Sequence, residues 1–185
     1  MAFGASIISP DRPLRPTVAF MLRHPAHWIA LGFGSGLAPW APGTVGTLWA
    51  WIAFLVLDHW LSSAQWGLVI AASLLLGQWA CTRTARDLGV ADPSAVVWDE
   101  VIAFWIVLWL LQPAPLWAQA LAFGLFRLLD AAKPGPVGWA DRRFKLRPGQ
   151  TIGWRQGFGI VFDDLVAAGC TLWLIALGWT LWKML

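Results

Sequence analysis

The chain is dominated by five long apolar stretches, set apart by short polar segments or by turns rich in glycine and proline. They run over 44–61 (TVGTLWAWIAFLVLDHWL), 64–80 (AQWGLVIAASLLLGQWA), 95–111, 114–130 (APLWAQALAFGLFRLLD) and 158–182 (FGIVFDDLVAAGCTLWLIALGWTLW). The first four are 17 or 18 residues long, at the short end of the roughly 17–25 residues that cross a bilayer as a helix. The pattern predicts short helices, some of them only half-inserted. A briefer apolar piece, Trp28 to Leu37, is interrupted by glycines and reads as a re-entrant or interfacial segment. There is no internal repeat or low-complexity tract.

Composition agrees with a lipid setting. Of 185 residues, 58% are hydrophobic and only 12% charged, and the mean hydropathy is +0.62. A soluble domain carries about a quarter charged residues. The 16 Trp, against no Tyr, suit interfacial belts in which an indole keeps its N–H wet. The predicted fold class is therefore all-α, an integral membrane bundle of about four to five short helices. Residues 1–26 read as an N-terminal tail, partly disordered or interfacial, and 27–185 as a single helical membrane domain. The N-terminal stretch has basic residues and prolines but no uninterrupted apolar core, so no cleavable signal is expected. No basic stripe is interleaved with base-stacking aromatics, which excludes a nucleic-acid partner. Cys81 and Cys170 lack a CxxC partner and fit free thiols. In CTRTAR, Arg86 falls one position too early for a tyrosine-phosphatase loop.

Charge orders the connecting segments. Arg12, Arg15 and Arg23 precede the first long stretch, Arg83 and Arg86 follow the second, and Lys133, Arg142, Arg143, Lys145, Arg147 and Arg155 fill 133–157. The turns SSAQ and QPAP carry no basic residue. By the positive-inside rule the basic segments are cytoplasmic and the bare turns lie opposite.

That topology gathers the acids. Asp99 and Glu100 start the third stretch, Asp130 closes the fourth, and Asp163 and Asp164 open the fifth. The glycine-rich loop 32–47 (GFGSGLAPWAPGTVGT) enters the first stretch from the same side, whereas Asp58 falls near the opposite end. Each piece has a plain structural explanation. Acids complement helix N-termini, Arg127, Asp130 and Lys133 form a helix-end ion ladder at spacing three, and glycines serve turns and close packing. Five carboxylates at one level of one face are less easily explained that way. Acids crowded at the edge of a low-dielectric region must be protonated or share a cation. Oxygen ligands without His or paired Cys suit Mg²⁺, which takes phosphate oxygens as further ligands. Backbone N–H groups of a glycine-rich loop cradle phosphate, and Arg or Lys grips its remaining oxygens. Metal-assisted chemistry on a phosphate beside lipid is the reading.

The motifs GFGSGLAPWAPGTVGT, VWDE, FRLLDAAKPGP and GFGIVFDDLVAAG, in this order and spacing, resemble those of the phosphatidylglycerophosphatase A family over about His27 to Gly169. The resemblance implies a multi-pass enzyme of the bacterial inner membrane with its active site on the cytoplasmic side. It implies hydrolysis of phosphatidylglycerophosphate, an anionic lipid, to phosphatidylglycerol and phosphate, with Mg²⁺ as cofactor. The family's acidic positions fall on Asp99, Glu100, Asp130, Asp163 and Asp164, as catalytic and metal-binding residues. Lys133 and Pro134 match its LD-x-x-KP element. The Arg-rich loop 142–156 departs from the pattern, and no role is transferred there.

Other phosphatase designs lack their residues: no DxD occurs, His24, His27 and His59 all lie early, and no aspartate array spaced by four is present. A metal-activated water is the expected nucleophile, with a covalent aspartyl-phosphate left open. Asp99, Asp130 and Asp163 or Asp164 are the expected Mg²⁺ ligands. Glu100 is a further ligand or the base that accepts a proton from water. Neighbours on a helix point about 100° apart, so Asp99 and Glu100 share one ion only at the helix end. Of the two, Asp99 is the expected ligand. Arg127 and Lys133 are candidates for phosphate contact, with Gly34, Ser35, Gly36, Thr44 and Thr47 as further substrate-binding candidates. The alternative from another class is a cation-coupled transporter, which calls for acids near the bilayer midplane and matching broken helices.

Overall fold

The computed structural model describes residues 15–146 and 150–184, and all regular structure among them is helical. The α-helices are α1 (Val18–Met21), α2 (Pro25–Ala30), α3 (Pro42–Leu57), α4 (Ser63–Leu88), α5 (Trp98–Leu111), α6 (Leu116–Ala132), α7 (Gly135–Phe144) and α8 (Trp154–Met184). A 3₁₀ segment, Gly32–Leu37, follows α2. Of the proposed tail, residues 1–14 lie outside the described residues, and the remainder forms α1 and the start of α2.

The most apolar helix is the central one. The run VIAFWIVLWLL has no polar face, and a helix apolar all round is stable only when surrounded. Accordingly α5 packs against α3, α4, α6 and α8, with Val101, Ile102, Ala103, Phe104 and Val107 fully buried. Its tryptophans find backbone acceptors: Trp98 Nε1 donates to the Ser73 carbonyl (3.3 Å) and Trp105 Nε1 to that of Ala50 (2.9 Å). Buried indoles need such partners.

Helix ends follow local signals. α4 starts at a capping box of Ser62 and Gln65 and stops at Gly89, whose φ of 69° is left-handed; both are ordinary end devices. α4 and α8 meet at Gly157, where a Cβ would overlap the Thr82 hydroxyl. At the far end of the bundle, Asp58 accepts hydrogen bonds from Trp66 Nε1 (2.9 Å) and Gln112 Nε2.

Three boundaries differ from the sequence reading, the first being that α4 runs on to Leu88 and takes in Arg83 and Arg86, which the sequence places in a connecting segment. The segment 133–157 is not all loop, because Gly135–Phe144 forms α7. Its Pro136 sits in the first turn, where the missing N–H costs nothing, so proline marks a start there and not a break. α8 begins at Trp154, so Asp163 and Asp164 lie in its third turn and do not open it. By length and composition, α4 (26 residues) and α8 (31 residues), each with an 18-residue stretch of mean hydropathy 1.3 and 1.9 respectively, are able to cross a membrane, and α3 is a shorter apolar helix. α5 has 14 residues, about 21 Å at 1.5 Å per residue, short of a hydrocarbon core of about 30 Å.

Candidate active site

Three helices deliver the carboxylates. The first turn of α5 carries Asp99 and Glu100, the last turn of α6 carries Asp130, and the third turn of α8 carries Asp163 and Asp164. All five line one cavity of about 270 Å³, and none is more than 9% exposed. Arg127 and Lys133 line it as well, as do Ala41, Pro42 and Gly43 from the start of α3. The acids expected to converge do so, from positions up to 65 residues apart in sequence.

The five divide into two overlapping sets. Oxygens of Asp99, Glu100 and Asp164 lie within 4.8 Å of one another, and so do oxygens of Asp130, Asp163 and Asp164. Asp99 Oδ1, Glu100 Oε2 and Asp164 Oδ2 are buried with no hydrogen-bond partner. An unsatisfied buried carboxylate oxygen is costly, and these three residues form a group that could hold a cation. The donor set is all oxygen, which fits Mg²⁺.

Two side-chain cations offset part of this charge. Arg127 Nη1 donates to Asp130 Oδ2 (2.7 Å) and lies 3.5 Å from Glu100 Oε1 and 3.4 Å from the Thr47 hydroxyl. Lys133 Nζ donates to Asp163 Oδ2 (2.6 Å) and to Asp141 Oδ1 of α7 (2.7 Å). Lys133 caps α6 in the left-handed region, at φ 45° and ψ 52°, a conformation glycine adopts more cheaply. Burial favours the neutral amine, but the two carboxylates override it and hold the ammonium well above its ordinary pKa. Asp141, bonded by Lys133 and Lys145, is held below the usual carboxylate range despite its partial burial.

At Gly43 a side chain is excluded. A Cβ there would overlap Glu100 Oε1 and stand 2.9 Å from Arg127 Nη2. The start of α3 thus approaches the acid–arginine pair as closely as a backbone can.

The glycine-rich loop contributes less directly than its motif suggests. Gly34, Ser35, Gly36 and Thr44 are not among the residues lining the cavity. Ser35 Oγ donates to its own loop, at Gly32 O (2.9 Å), and a Cβ on Gly36 would strike the Ala95 carbonyl. This part of the loop packs against the segment leading into α5, where Val97 N donates to Ala30 O (2.8 Å). Thr47 Oγ1 is buried, donates to the Gly43 carbonyl (2.8 Å) and accepts from Arg127, steadying that side chain. Sequence reasoning passed over Asp92, which lines the cavity, and Asp141, which anchors Lys133. Both lie in connecting segments on the basic side, which was the available signal.

A dianionic phosphate is repelled by these acids to the extent that their charge is not neutralised. Arg127 and Lys133 are the cations of the cavity, each already paired with a carboxylate.

Comparison with known proteins shows the family to which the chain belongs. The sequence profile of the family described as phosphatidylglycerophosphatase A matches residues 28–179. Phosphatidylglycerophosphatase A of Escherichia coli (strain K12) is 40% identical over 146 residues, covering 79% of this chain and 78% of that protein. The protein of the same name from Haemophilus influenzae (strain Rd) is 38% identical over 154 residues, with coverages of 83% and 88%. A Bacteroides thetaiotaomicron protein named "Putative phosphatidylinositol-3-phosphatase" is 34% identical over 154 residues, covering 80% of this chain and 89% of that one. No solved structure matches significantly.

Proposed function

The chain belongs to the phosphatidylglycerophosphatase A family, and from that premise we propose that it hydrolyses phosphatidylglycerophosphate to phosphatidylglycerol and inorganic phosphate, using Mg²⁺. The observation that carries this is the trio of buried, unpartnered oxygens on Asp99, Glu100 and Asp164, beside Arg127 and Lys133 in one cavity. When bound, Mg²⁺ would acidify water and neutralise charge on the phosphate.

The chain's own residues have the following parts. Asp99 and Asp164, with Asp130 and Asp163, would supply the ligands for bound metal. Glu100 is a further ligand or accepts the proton of the attacking water. Arg127 and Lys133 bind phosphate oxygens and keep the phosphorus in line with the nucleophile, a positioning effect of large kinetic weight. Water's oxygen bonds to phosphorus, the ester P–O bond breaks, and the departing glycerol oxygen takes up a proton.

The lipid substrate places the site at a membrane surface, and several features support a multi-pass protein of the bacterial inner membrane with the site on its cytoplasmic side. α4 and α8 have the length and hydropathy of spanning helices. Trp60, Trp117 and Trp182 are exposed towards the ends of helices remote from the cavity, while Trp40, Trp139 and Trp154 are exposed beside the ends that form it. Two such groups suit the two interfaces of a bilayer. Exposed Arg142, Arg143, Lys145 and Arg155 lie on the cavity's side, as a cytoplasmic face requires. An ion-coupled transporter is not favoured by the family relationship.

Purified protein in detergent micelles should release phosphate from phosphatidylglycerophosphate with Mg²⁺ and stop with excess chelator. Phosphatidylinositol 3-phosphate, suggested by the name of the Bacteroides relative, serves as the competing substrate. Faster release from the inositol lipid would reverse the substrate assignment. Equal release with and without chelator would remove Mg²⁺ from the reaction.

A further inference from the structure

We propose that the cavity holds two divalent cations bridged by Asp164, one between Asp99, Glu100 and Asp164 and the other between Asp130, Asp163 and Asp164. The inference rests on the metal-dependent reading above and adds a stoichiometry and an order of filling. Its first ground is geometric. Ligands in a Mg²⁺ shell sit about 2.1 Å from the ion, so no two are more than about 4.2 Å apart. The five carboxylates do not meet at one such point. Instead two sets of three lie within 4.8 Å, so that side-chain shifts of about half an ångström bring each around one ion, and only Asp164 belongs to both. Its Oδ2 is buried and unpartnered, and Asp164 is 3% exposed.

The second ground is charge. Six carboxylates line the cavity, counting Asp92, against Arg127 and Lys133. Lys133 is in addition shared with Asp141, outside that lining. With all six ionised, four negative charges are left without a counter-charge in a largely buried space, and two divalent ions neutralise four. One ion leaves an excess that would repel the phosphate the site must admit.

The two positions are unequal. Arg127 holds Asp130 Oδ2 and Lys133 holds Asp163 Oδ2, so the second set is already partly neutralised. In the first set, Asp99 Oδ1 and Glu100 Oε2 have no partner. The Asp99–Glu100–Asp164 position therefore fills first and more tightly. Filling the second competes with the two side-chain cations and frees them towards substrate phosphate.

The test counts ions without turnover. Full-length protein in detergent, stripped of metal, is titrated with Mn²⁺ by equilibrium dialysis and followed by electron paramagnetic resonance. Two ions per chain are expected, the second at least about tenfold weaker, with spin coupling when both are bound, as for metals about 3.5–4 Å apart. Asp130→Asn should keep the tight ion and lose the weak one, and Asp164→Asn should abolish the coupling. Saturation at one ion, with phosphate release still sensitive to chelator, would overturn the two-ion site and leave the metal-dependent reading intact. No bound ion and no chelator effect would overturn both. Should the variants fail to fold, the stoichiometry of the unaltered protein decides alone.

Discussion

Lys133 Nζ donates to Asp163 Oδ2 across 2.6 Å, tying the left-handed end of α6 to the third turn of α8. A lysine in a backbone conformation better suited to glycine is retained against a cost of roughly 1 kcal/mol, so its ammonium must do something glycine cannot. Lys133→Gly should relieve the backbone yet lower phosphate release by about 100-fold, equivalent to roughly 2.7 kcal/mol of transition-state stabilisation. Lys133→Arg should recover part of it. Phosphate release and thermal unfolding, measured together, separate the two effects, and undiminished release in the glycine variant would deny Lys133 its role.

The same lysine predicts a pH dependence of stability. Asp141 is held below its ordinary value of 3.8, so its contribution is present above about pH 4 and is lost as pH falls through its depressed pKa. Lys133 is held above its ordinary value of 10.5, so its contribution is present at neutral pH and is lost only as alkali reaches the raised pKa. Asp141→Asn should shrink the acid-side loss below about pH 4, read as the unfolding temperature in detergent. An unchanged acid limb would contradict the pairing.

Gly43→Ala introduces a methyl where Glu100 and Arg127 already stand. Overpacking of this kind costs about 1–3 kcal/mol, and here the atoms displaced belong to the site. Phosphate release should fall more than stability does. A variant as active as the parent would mean that α3 approaches the site less closely.

Mg²⁺ should raise the unfolding temperature, since a ligand bound only by the folded chain stabilises it by mass action. In Asp99→Asn the rise should be smaller at every Mg²⁺ concentration. An equal rise would take Asp99 out of the metal site.

Asp58 supplies the contrast. It accepts from Trp66 and Gln112 at the end of the bundle away from the cavity. Asp58→Asn should lower stability by about 1–2 kcal/mol with activity per folded molecule unchanged. A selective loss of activity would show that the far end of the bundle communicates with the cavity.

The sequence by itself determined the helical class and the list of acids. Long apolar stretches leave no alternative to helices in lipid, and carboxylates beside such stretches are too costly to be incidental, so Asp99, Glu100, Asp130, Asp163 and Asp164 stood out before any coordinates. Arg127 and Lys133 stood out because they share a helix end with Asp130. Tertiary structure decided what depends on distance. It showed that α5 is the central helix, that α7 interrupts the basic loop, and that Asp163 and Asp164 lie in the third turn of α8. It reduced much of the glycine-rich loop to packing against the start of α5, while Gly43, no more conspicuous in sequence than its neighbours, proved to face the acids. It brought in Asp92 and Asp141, and it divided the five carboxylates into two sets that meet at Asp164. Polarity is written residue by residue and can be read along a chain. Which oxygens come within reach of one another is set by how helices cross, and that is fixed only when the side chains between them are packed.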